Sequence, residues 1–304
     1  GGAGSFAQTS EFTFRLVPVV CGVGVILLCW SLRSAMGAVA MTASAVLCAF
    51  SPAMVFYSRY YIHEMLFVLV TFTTIVAAWR YVQRPGIGWA ACFGLAFGGM
   101  FAVKETSVIA WTAMCAAALP LCFLCCRRAE SRSKFRGLNI LIAALCAAGV
   151  WAVMLSGFFI HPRGLLDSIL AFGNFTERAT EAHVQEWYYY FKVLGFSKDH
   201  HGHIWSEALI LVLAVIGVIG AFSGRCLGLV NRDFARFIAI YTLVLVIVFC
   251  AIPYKTPWNV LLFLHGMILL AGIGAAVLVE VSKGGMARVM IFAVLLGGLV
   301  GVGL

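Results

Sequence analysis

Long apolar runs, separated by short polar breaks, occupy nearly the whole chain. About ten of these runs approach the roughly 20 apolar residues that a helix needs to cross a bilayer. One break is long: residues 159–204 are polar, aromatic and rich in histidine. The pattern predicts an all-α, polytopic membrane protein with about ten transmembrane helices, at 15–32, 36–56, 64–82, 88–103, 106–126, 137–158, 205–223, 235–252, 257–279 and 286–304.

The composition favours the same fold class. Of the 304 residues, 63% are hydrophobic and only 11% are charged, whereas soluble domains carry roughly a quarter charged residues. We therefore predict a single transmembrane domain over 1–304, with 159–204 as an extracytoplasmic loop within it. The net charge of +9 comes without a basic patch interleaved with aromatic residues, so we expect membrane lipids and no nucleic acid as partners.

The basic residues indicate how the spans are oriented. Positive charge collects in short cytoplasmic loops, and strict alternation of ten spans puts 13 of the 21 Lys and Arg on one side with three acidic residues. The other side then holds 8 basic and 9 acidic residues. This orientation places the loop 159–204 outside, and the 13 cytoplasmic basic residues are Arg33, Arg80, Arg84, Arg127, Arg128, Arg132, Lys134, Arg136, Arg225, Arg232, Arg236, Lys283 and Arg288.

The stretch "YSRYYIHEML" (57–66) places charge between two apolar runs, at the predicted outer face. Ionisable groups beside hydrocarbon are costly unless they are paired or functional. Arg59 has the planar fork that binds phosphate oxygens, and Tyr60 lies beside it. His63 and Glu64 are candidates for orienting an acceptor or a metal ion. A boundary ion pair with snorkelling side chains is the alternative.

Two further outer breaks contain lysine. In "AVKETSV" (102–108), Lys104 is a candidate phosphate ligand, and Glu105 is a candidate substrate contact or cap of the following helix. In "IPYKTPWN" (252–259), two prolines stiffen a turn that directs Lys255 towards a lipid phosphate. Tyr254 fits either this site or an interfacial aromatic belt.

Metal binding is a weaker hypothesis. Candidate ligands of a divalent ion are His63 and Glu64, together with the histidines of "DHHGH" (199–203), which are His200, His201 and His203. This tight loop lacks a defined ligand spacing, so a solvated polar loop is the alternative. Segments 164–172 and 180–194 are predicted as amphipathic helices at the membrane surface.

Four stretches together resemble the GT-C superfamily of polyprenyl-phosphate-sugar glycosyltransferases, which includes protein O-mannosyltransferases and the aminoarabinose transferase of lipid A. The nearest resemblance is to the prokaryotic flippase-activity-associated GT-C-like family. The likeness covers nearly all of the chain, and its carriers are "FTFRLVPVVCGVGVILL" (12–28), "SPAMVFYSRYYIHEMLFV" (51–68), "HPRGLLDSI…HVQEWYYYFKVLG" (161–195) and "YKTPWN" (254–259).

The resemblance implies an inverting transfer of a sugar from a polyprenyl phosphate to an acceptor, at the extracytoplasmic face of a prokaryotic plasma membrane. Arg59, Lys104 and Lys255 would hold the lipid phosphate, Glu64 or His63 would orient the acceptor or a metal, and Arg15 would close the site. The family carries its catalytic acid in the first outer loop. We expect that loop and the preceding span to be missing upstream of "GGAGSFAQTSEF".

The residues also leave other functions open. A lipid-linked-sugar flippase or transporter would need polar groups near the middle of the membrane, where His265 is the clearest ionisable residue. A non-catalytic membrane scaffold would need no catalytic acid at all. The sugar, the lipid carrier and the acceptor are not specified by any of these patterns.

Overall fold

A computed structural model describes residues 10–127, 137–170, 183–198, 204–223, 228 and 230–282. The described chain is a bundle of apolar helices with a small subdomain formed by the predicted outer loop. Its α-helices are α1 Glu11–Cys29, α2 Arg33–Phe50, α3 Pro52–Ser58, α4 Glu64–Gln83, α5 Ile87–Val103, α6 Ser107–Arg127, α7 Gly137–Leu155, α8 at 164–170, α9 Tyr189–Gly195, α10 Ala208–Ser223, α11 Arg232–Ala251 and α12 Val260–Val281.

The predicted membrane fold is confirmed. Five described helical segments are long and apolar enough to cross a membrane, and three apolar helices are shorter. Nine predicted spans coincide with described helices, while the tenth, 286–304, lies outside the described residues and stays a prediction. The single-domain assignment for 1–304 also stays a prediction.

The segment Glu11–Phe50 is 40 residues of nearly continuous helix but contains two predicted spans. A short 3₁₀ turn at Trp30–Leu32 and the positive φ of 73° at Gly37 interrupt it. Glycine tolerates this φ because it has no Cβ. The segment therefore folds back on itself, and α1 packs against α2.

Helix α12 lies at the centre of the bundle. Its residues from Val260 to Ala276 are buried almost without interruption, and it packs against α10, α2 and α11. The contact with α10 is close because glycines face backbone there: a Cβ on Gly217 would lie 2.0 Å from the Leu270 carbonyl oxygen, and one on Gly274 would lie 2.0 Å from that of Leu213. This central helix therefore fixes the position of the turn Pro257–Asn259, which directly precedes it.

The two ends of the bundle contain different loops. At one end, Ser34 Oγ donates to Gln83 Oε1 at 3.1 Å, and Asn231 N donates to the Ala35 carbonyl at 2.7 Å. These residues lie at helix ends or in loops on the side that the charge pattern assigns to the cytoplasm. At the other end lie the residues assigned to the outside, including Glu64 and Lys104. The described loops thus sort between the two ends as the predicted alternation of spans requires.

The predicted outer loop 159–204 contains regular structure. Helix α8 covers 164–170, within the first predicted surface helix. The second predicted surface helix, 180–194, is wrong in its described first half: residues 183–188 are not helical, and α9 begins only at Tyr189. Here the backbone of residues 184–185 pairs with the turn at 253–254. These backbone groups are therefore not free to form helical hydrogen bonds. A short antiparallel hairpin, β1 Ser197–Lys198 and β2 Ile204–Trp205, completes the subdomain.

Candidate functional site

A buried polar cluster lies where the outer ends of three helices meet. The Lys104 ammonium forms an ion pair with Glu64 Oε1 and donates to Asn259 Oδ1 at 2.8 Å. The side chains of Lys104 and Glu64 are only 12% and 4% exposed. A charge pair removed from water to this extent is stable only when both partners are present. We call these three residues the Glu64 cluster.

Helix boundaries bring the Glu64 cluster together. Glu64 is the first residue of α4, where the helix dipole favours negative charge. Lys104 immediately follows α5 and has an extended backbone with φ of −157°. Asn259 ends the 3₁₀ turn Pro257–Asn259, just before α12 begins at Val260. Each residue thus lies at a change of backbone direction, which allows its side chain to point into the space between helices.

The Glu64 cluster retains hydrogen-bonding capacity. An ammonium group carries three donors, and Glu64 and Asn259 occupy two of those of Lys104. His63 Nε2 lies 4.0 Å from Glu64 Oε1, the same oxygen that contacts Lys104. The His63 side chain is 56% exposed, so it connects the buried carboxylate with the outside. Among the described residues, one ammonium proton and the second carboxylate oxygen, Oε2, have no partner, so both could contact a bound molecule.

Arg59 lies at an apolar groove. The groove has a volume of about 330 Å³ and is lined by α1, α2, α3 and the start of α4. Arg59 is the only charged residue of its lining, which otherwise consists of Val19, Gly22, Val23, Ile26, Cys48, Ala49, Met54, Val55, Ser58 and Met65. A guanidinium beside an apolar groove suits an amphipathic molecule with an anionic head.

Lys255 has a different environment from Lys104. Its side chain is buried, and its ammonium donates to the carbonyls of Ile252 at 2.6 Å and Gln185 at 3.2 Å. Backbone bonds reinforce this contact: Lys255 N donates to His183 O at 3.1 Å, and Gln185 N donates to Pro253 O at 3.0 Å. Lys255 therefore fastens the outer loop to the turn before α12.

Burial also affects the charge of Lys255. The loss of solvent lowers the pKa of its ammonium group from the ordinary value, and only the nearby Cys250 opposes that shift. Within the described ranges, no carboxylate forms an ion pair with this lysine. A buried ammonium that lacks a carboxylate partner would be stabilised by an anionic ligand.

Tyrosines line the space between the Glu64 cluster and α9. Tyr57 is 8% exposed, and burial, followed by the fields of Tyr189, Glu64 and Tyr60, raises its pKa to about 12. Tyr190 is also buried, and its ring contacts Phe263 of α12 with centroids 5.3 Å apart. Burial raises the pKa of Tyr190 as well, so both phenols stay neutral hydrogen-bonding groups at physiological pH.

The contacts of the other predicted site residues lie outside the Glu64 cluster. Arg15 is exposed and pairs with Glu11 at 3.3 Å, one helical turn away. Tyr60 is 50% exposed and stacks on Phe56. Tyr254 contacts the His183 ring with centroids 5.6 Å apart. Glu105 is exposed, and it cannot be the N-cap of α6 because that helix begins two residues later.

Metal ligands do not cluster in the described part of the chain. No group of three His, Cys, Asp or Glu residues lies together there. His63 and Glu64 offer two groups, and the closer oxygen of Glu64 already contacts Lys104. The remaining candidates, His200, His201 and His203, lie outside the described residues. Metal binding therefore stays an untested prediction.

Sequence reasoning missed two polar residues at this end of the bundle. Asn259 lies in the quoted turn "YKTPWN", but its side chain was not assigned a role. Glu207 was not singled out at all, although it is 2% exposed. Its position directly before the apolar run of α10 was an available signal, since an acid beside hydrocarbon needs a partner.

The sequence matches one known protein family over part of its length. Residues 5–152 match a family model described as dolichyl-phosphate-mannose-protein mannosyltransferase, which is just under half of the chain. No curated protein matches the sequence significantly.

Three solved structures resemble the chain at low identity. ArnT from Cupriavidus metallidurans bound to undecaprenyl phosphate matches with a TM-score of 0.61 and 13% identity, over 93% of this chain and 49% of that one. Its apo state matches at 0.55 and 14%, over 86% and 45%. An Archaeoglobus fulgidus oligosaccharyltransferase, tethered to an acceptor peptide containing the NVT sequon, matches at 0.55 and 14%, over 96% and 43%.

These matches confirm the predicted resemblance at the level of fold. The chain has the GT-C fold of the polyprenyl-phosphate-sugar glycosyltransferases. It spans about half the length of each of the solved structures.

Proposed function

We propose that this chain of GT-C fold acts as an integral-membrane glycosyltransferase, which moves a sugar from a polyprenyl phosphate to an acceptor at the extracytoplasmic face. The observation that carries the proposal is the buried Glu64 cluster at one end of an apolar helix bundle. The match to ArnT, solved with undecaprenyl phosphate, supports the class of donor.

The donor has two parts, and the structure offers a matching surface for each. The apolar groove suits a prenyl chain, because its lining is almost entirely hydrocarbon. Arg59 at the same groove suits the phosphate, since a guanidinium can donate two parallel hydrogen bonds to phosphate oxygens. We place the lipid in this groove with its phosphate at Arg59, towards the Glu64 cluster.

The reaction would be a direct displacement at the anomeric carbon. The acceptor atom forms a bond to that carbon while the bond from carbon to phosphate oxygen breaks, and the lipid phosphate leaves with the electron pair. The configuration is thereby inverted. Arg59 and the unused proton of Lys104 would stabilise the charge on the leaving phosphate. The acceptor proton passes to a base, which the family resemblance places in the first outer loop.

Glu64 would orient the acceptor. Its Oε1 is held by Lys104, which fixes the side chain and leaves Oε2 to accept a hydrogen bond from the acceptor. His63, half exposed beside it, would contact the same molecule from the outer side. We derive no step through a metal ion, because the described residues gather no set of three ligands.

The distribution of charge supports the proposed side of the membrane. The opposite end of the bundle contains basic residues that the positive-inside rule assigns to the cytoplasm, among them Arg33, Arg80 and Arg84. The Glu64 cluster would then face the extracytoplasmic side. Labelling of an engineered cysteine at Tyr61, which is exposed, with a membrane-impermeant reagent on intact cells tests this placement.

The test of the proposed function uses the full-length gene product in detergent with a polyprenyl-phosphate sugar. Release of the sugar and binding of the donor are both measured. We expect Glu64→Gln to abolish release while donor binding persists, and Arg59→Ala to weaken donor binding. Glu186→Gln is the matched control, because it removes an exposed carboxylate of the predicted outer loop that has no proposed role in the site. Absence of donor binding and release in the folded wild type would refute the proposal.

A lipid-linked-sugar flippase is the second candidate, favoured by one observation. His265 lies within α12, is 5% exposed and packs against the Phe72 ring at 4.4 Å between centroids. Its Nε2 has no hydrogen-bond partner among the described residues. Ionisable residues buried in a membrane often mark transport pathways. Transbilayer movement of intact donor in proteoliposomes, without sugar release, would favour this candidate.

A further inference from the structure

Glu207 forms a polar contact that joins two distant parts of the chain. Its Oε1 accepts a hydrogen bond from Ser51 Oγ at 2.7 Å and another from Ala53 N at 2.9 Å. The residues are more than 150 positions apart in sequence, and both Glu207 and Ser51 are 2% exposed. The carboxylate thereby caps the N-terminal end of α3.

Helix α3 needs such a cap because it is very short. It has only seven residues, and isolated helices of fewer than about 12 residues are marginal in water. Ser51 Oγ accepts from Met54 N at 3.3 Å while it donates to Glu207. Glu207 and Ser51 together satisfy two amides of the first turn, and the negative charge is favourable at this end of the helix dipole.

The other end of α3 leads directly to the proposed donor site. Ser58 is its last residue, and Arg59 N donates to the Phe56 carbonyl at 3.0 Å, which closes the helix. Tyr57 lies on the same helix. A displacement of α3 would therefore move Arg59 and Tyr57 together.

Glu207 also connects α3 with the outer subdomain. Its own backbone N–H donates to the Leu194 carbonyl of α9 at 2.8 Å, and Ser206 Oγ donates to the Gly195 carbonyl at 2.6 Å. Helix α9 carries Tyr190. Glu207 thus links α3, which leads to Arg59, with α9, which carries Tyr190.

We propose that Glu207 is a positioning residue, which fixes α3 and thereby holds Arg59 in place for the donor phosphate. The proposal rests on the proposed function for the identity of the ligand, but the order of α3 can be measured without any donor. Glu207 itself contacts α3 at a helix end away from Arg59, so it acts through the helix rather than by touching the phosphate.

The first experiment measures backbone hydrogen exchange of residues 53–58 in the full-length protein. We expect Glu207→Ala to accelerate exchange of these amides about tenfold, given the usual contribution of a helix cap. Glu207→Gln should restore most of the protection because an amide oxygen can accept the same two bonds. Glu186→Ala is the control, since Glu186 is exposed beside α9. Unchanged exchange in Glu207→Ala would overturn the proposal.

The second experiment measures the affinity for a polyprenyl-phosphate sugar in a double-mutant cycle. Glu207→Ala should weaken binding about tenfold in the wild type and have no further effect in Arg59→Ala, because it acts through Arg59. Additive effects would overturn the positioning role. Ser51→Ala, which removes one of the two bonds, serves if Glu207→Ala does not fold, and should weaken binding by a smaller factor.

The two experiments separate the failure of each proposal. If the folded wild type does not bind the donor at all, the proposed function fails, and the exchange measurement still decides whether Glu207 fixes α3. If donor binding is intact and independent of Glu207, the proposed function stands and the positioning role is wrong.

Discussion

Two lysines at the same end of the bundle have different kinds of hydrogen-bond partner. Lys104 contacts side chains, namely the carboxylate of Glu64 and the amide oxygen of Asn259. Lys255 contacts the backbone carbonyls of Ile252 and Gln185. One lysine is neutralised within a polar cluster, while the other fastens a loop and lacks a carboxylate partner in the described chain.

The difference separates a chemical role from an architectural one. A side-chain partner such as Glu64 has a second carboxylate oxygen, which can accept a hydrogen bond from a substrate while the first oxygen stays bonded to Lys104. Backbone carbonyls are fixed by the chain, so a lysine bonded to them fixes the loop in turn. We therefore expect Lys104 to affect the chemical step and Lys255 to affect the order of the outer loop.

The largest expected effect on stability comes from breaking the ion pair. Lys104→Met leaves Glu64 buried without its partner and should reduce the free energy of unfolding by about 3–5 kcal/mol. The double variant Glu64→Gln with Lys104→Met should recover a large part of that loss. Denaturation in detergent micelles, with Glu105→Gln as a control, checks this. Equal losses in the single and double variants would contradict an energetic coupling.

A smaller loss is expected at the second lysine. Lys255→Met removes two charge-assisted bonds to backbone carbonyls and should cost about 1.5–3 kcal/mol. The loss should be local, with faster hydrogen exchange at 183–186 and unchanged exchange in α4 and α5. Exchange that accelerates in α4 instead would show that Lys255 supports the Glu64 cluster rather than the loop.

The pH dependence of stability should also distinguish the two lysines. Because burial lowers the pKa of Lys255, the unfolded chain binds more protons than the folded chain between that lowered pKa and the ordinary value of 10.5. Stability contributed by Lys255 therefore rises as the pH increases through this window. The thermal midpoint of the wild type should rise relative to Lys255→Met over this range. A falling difference would contradict the sign.

The smallest effect is expected at the surface. Arg15 is half exposed and pairs with the exposed Glu11, and such pairs contribute about 0–1 kcal/mol. Arg15→Ala should change stability and donor affinity within experimental error. A loss of donor affinity comparable to that of Arg59→Ala would instead show that Arg15 closes the site, as the family resemblance implies.

The fold was largely predictable because a bilayer imposes one simple rule on sequence. Runs such as 64–82 and 88–103 must be helical and apolar, so their bounds agree closely with α4 Glu64–Gln83 and α5 Ile87–Val103. The outer loop was less predictable. Tertiary pairing of 184 with 254 overrides the helical pattern there, and no local signal reveals such a contact.

The sequence allowed the types of residue in the candidate site to be predicted, but not which of them contact one another. Charge at helix ends identified Glu64 and Lys104, which do meet. The same reasoning proposed Lys255 as a phosphate ligand alongside Lys104, although its ammonium is bonded to backbone carbonyls. Arg15, which only the family resemblance proposed, pairs with Glu11. Asn259 and Glu207 were missed because their partners lie about 155 positions away in sequence, and a single sequence does not show such pairs.

The most direct test compares the two lysines in one reaction. The rate constant of sugar release at saturating polyprenyl-phosphate sugar is measured for Lys104→Met and Lys255→Met in the full-length protein, with thermal midpoints as a check on folding. We predict a loss of about 10²–10³-fold for Lys104→Met, and a rate close to that of the wild type for Lys255→Met. A rate that is lost in Lys255→Met and retained in Lys104→Met would contradict the central claim.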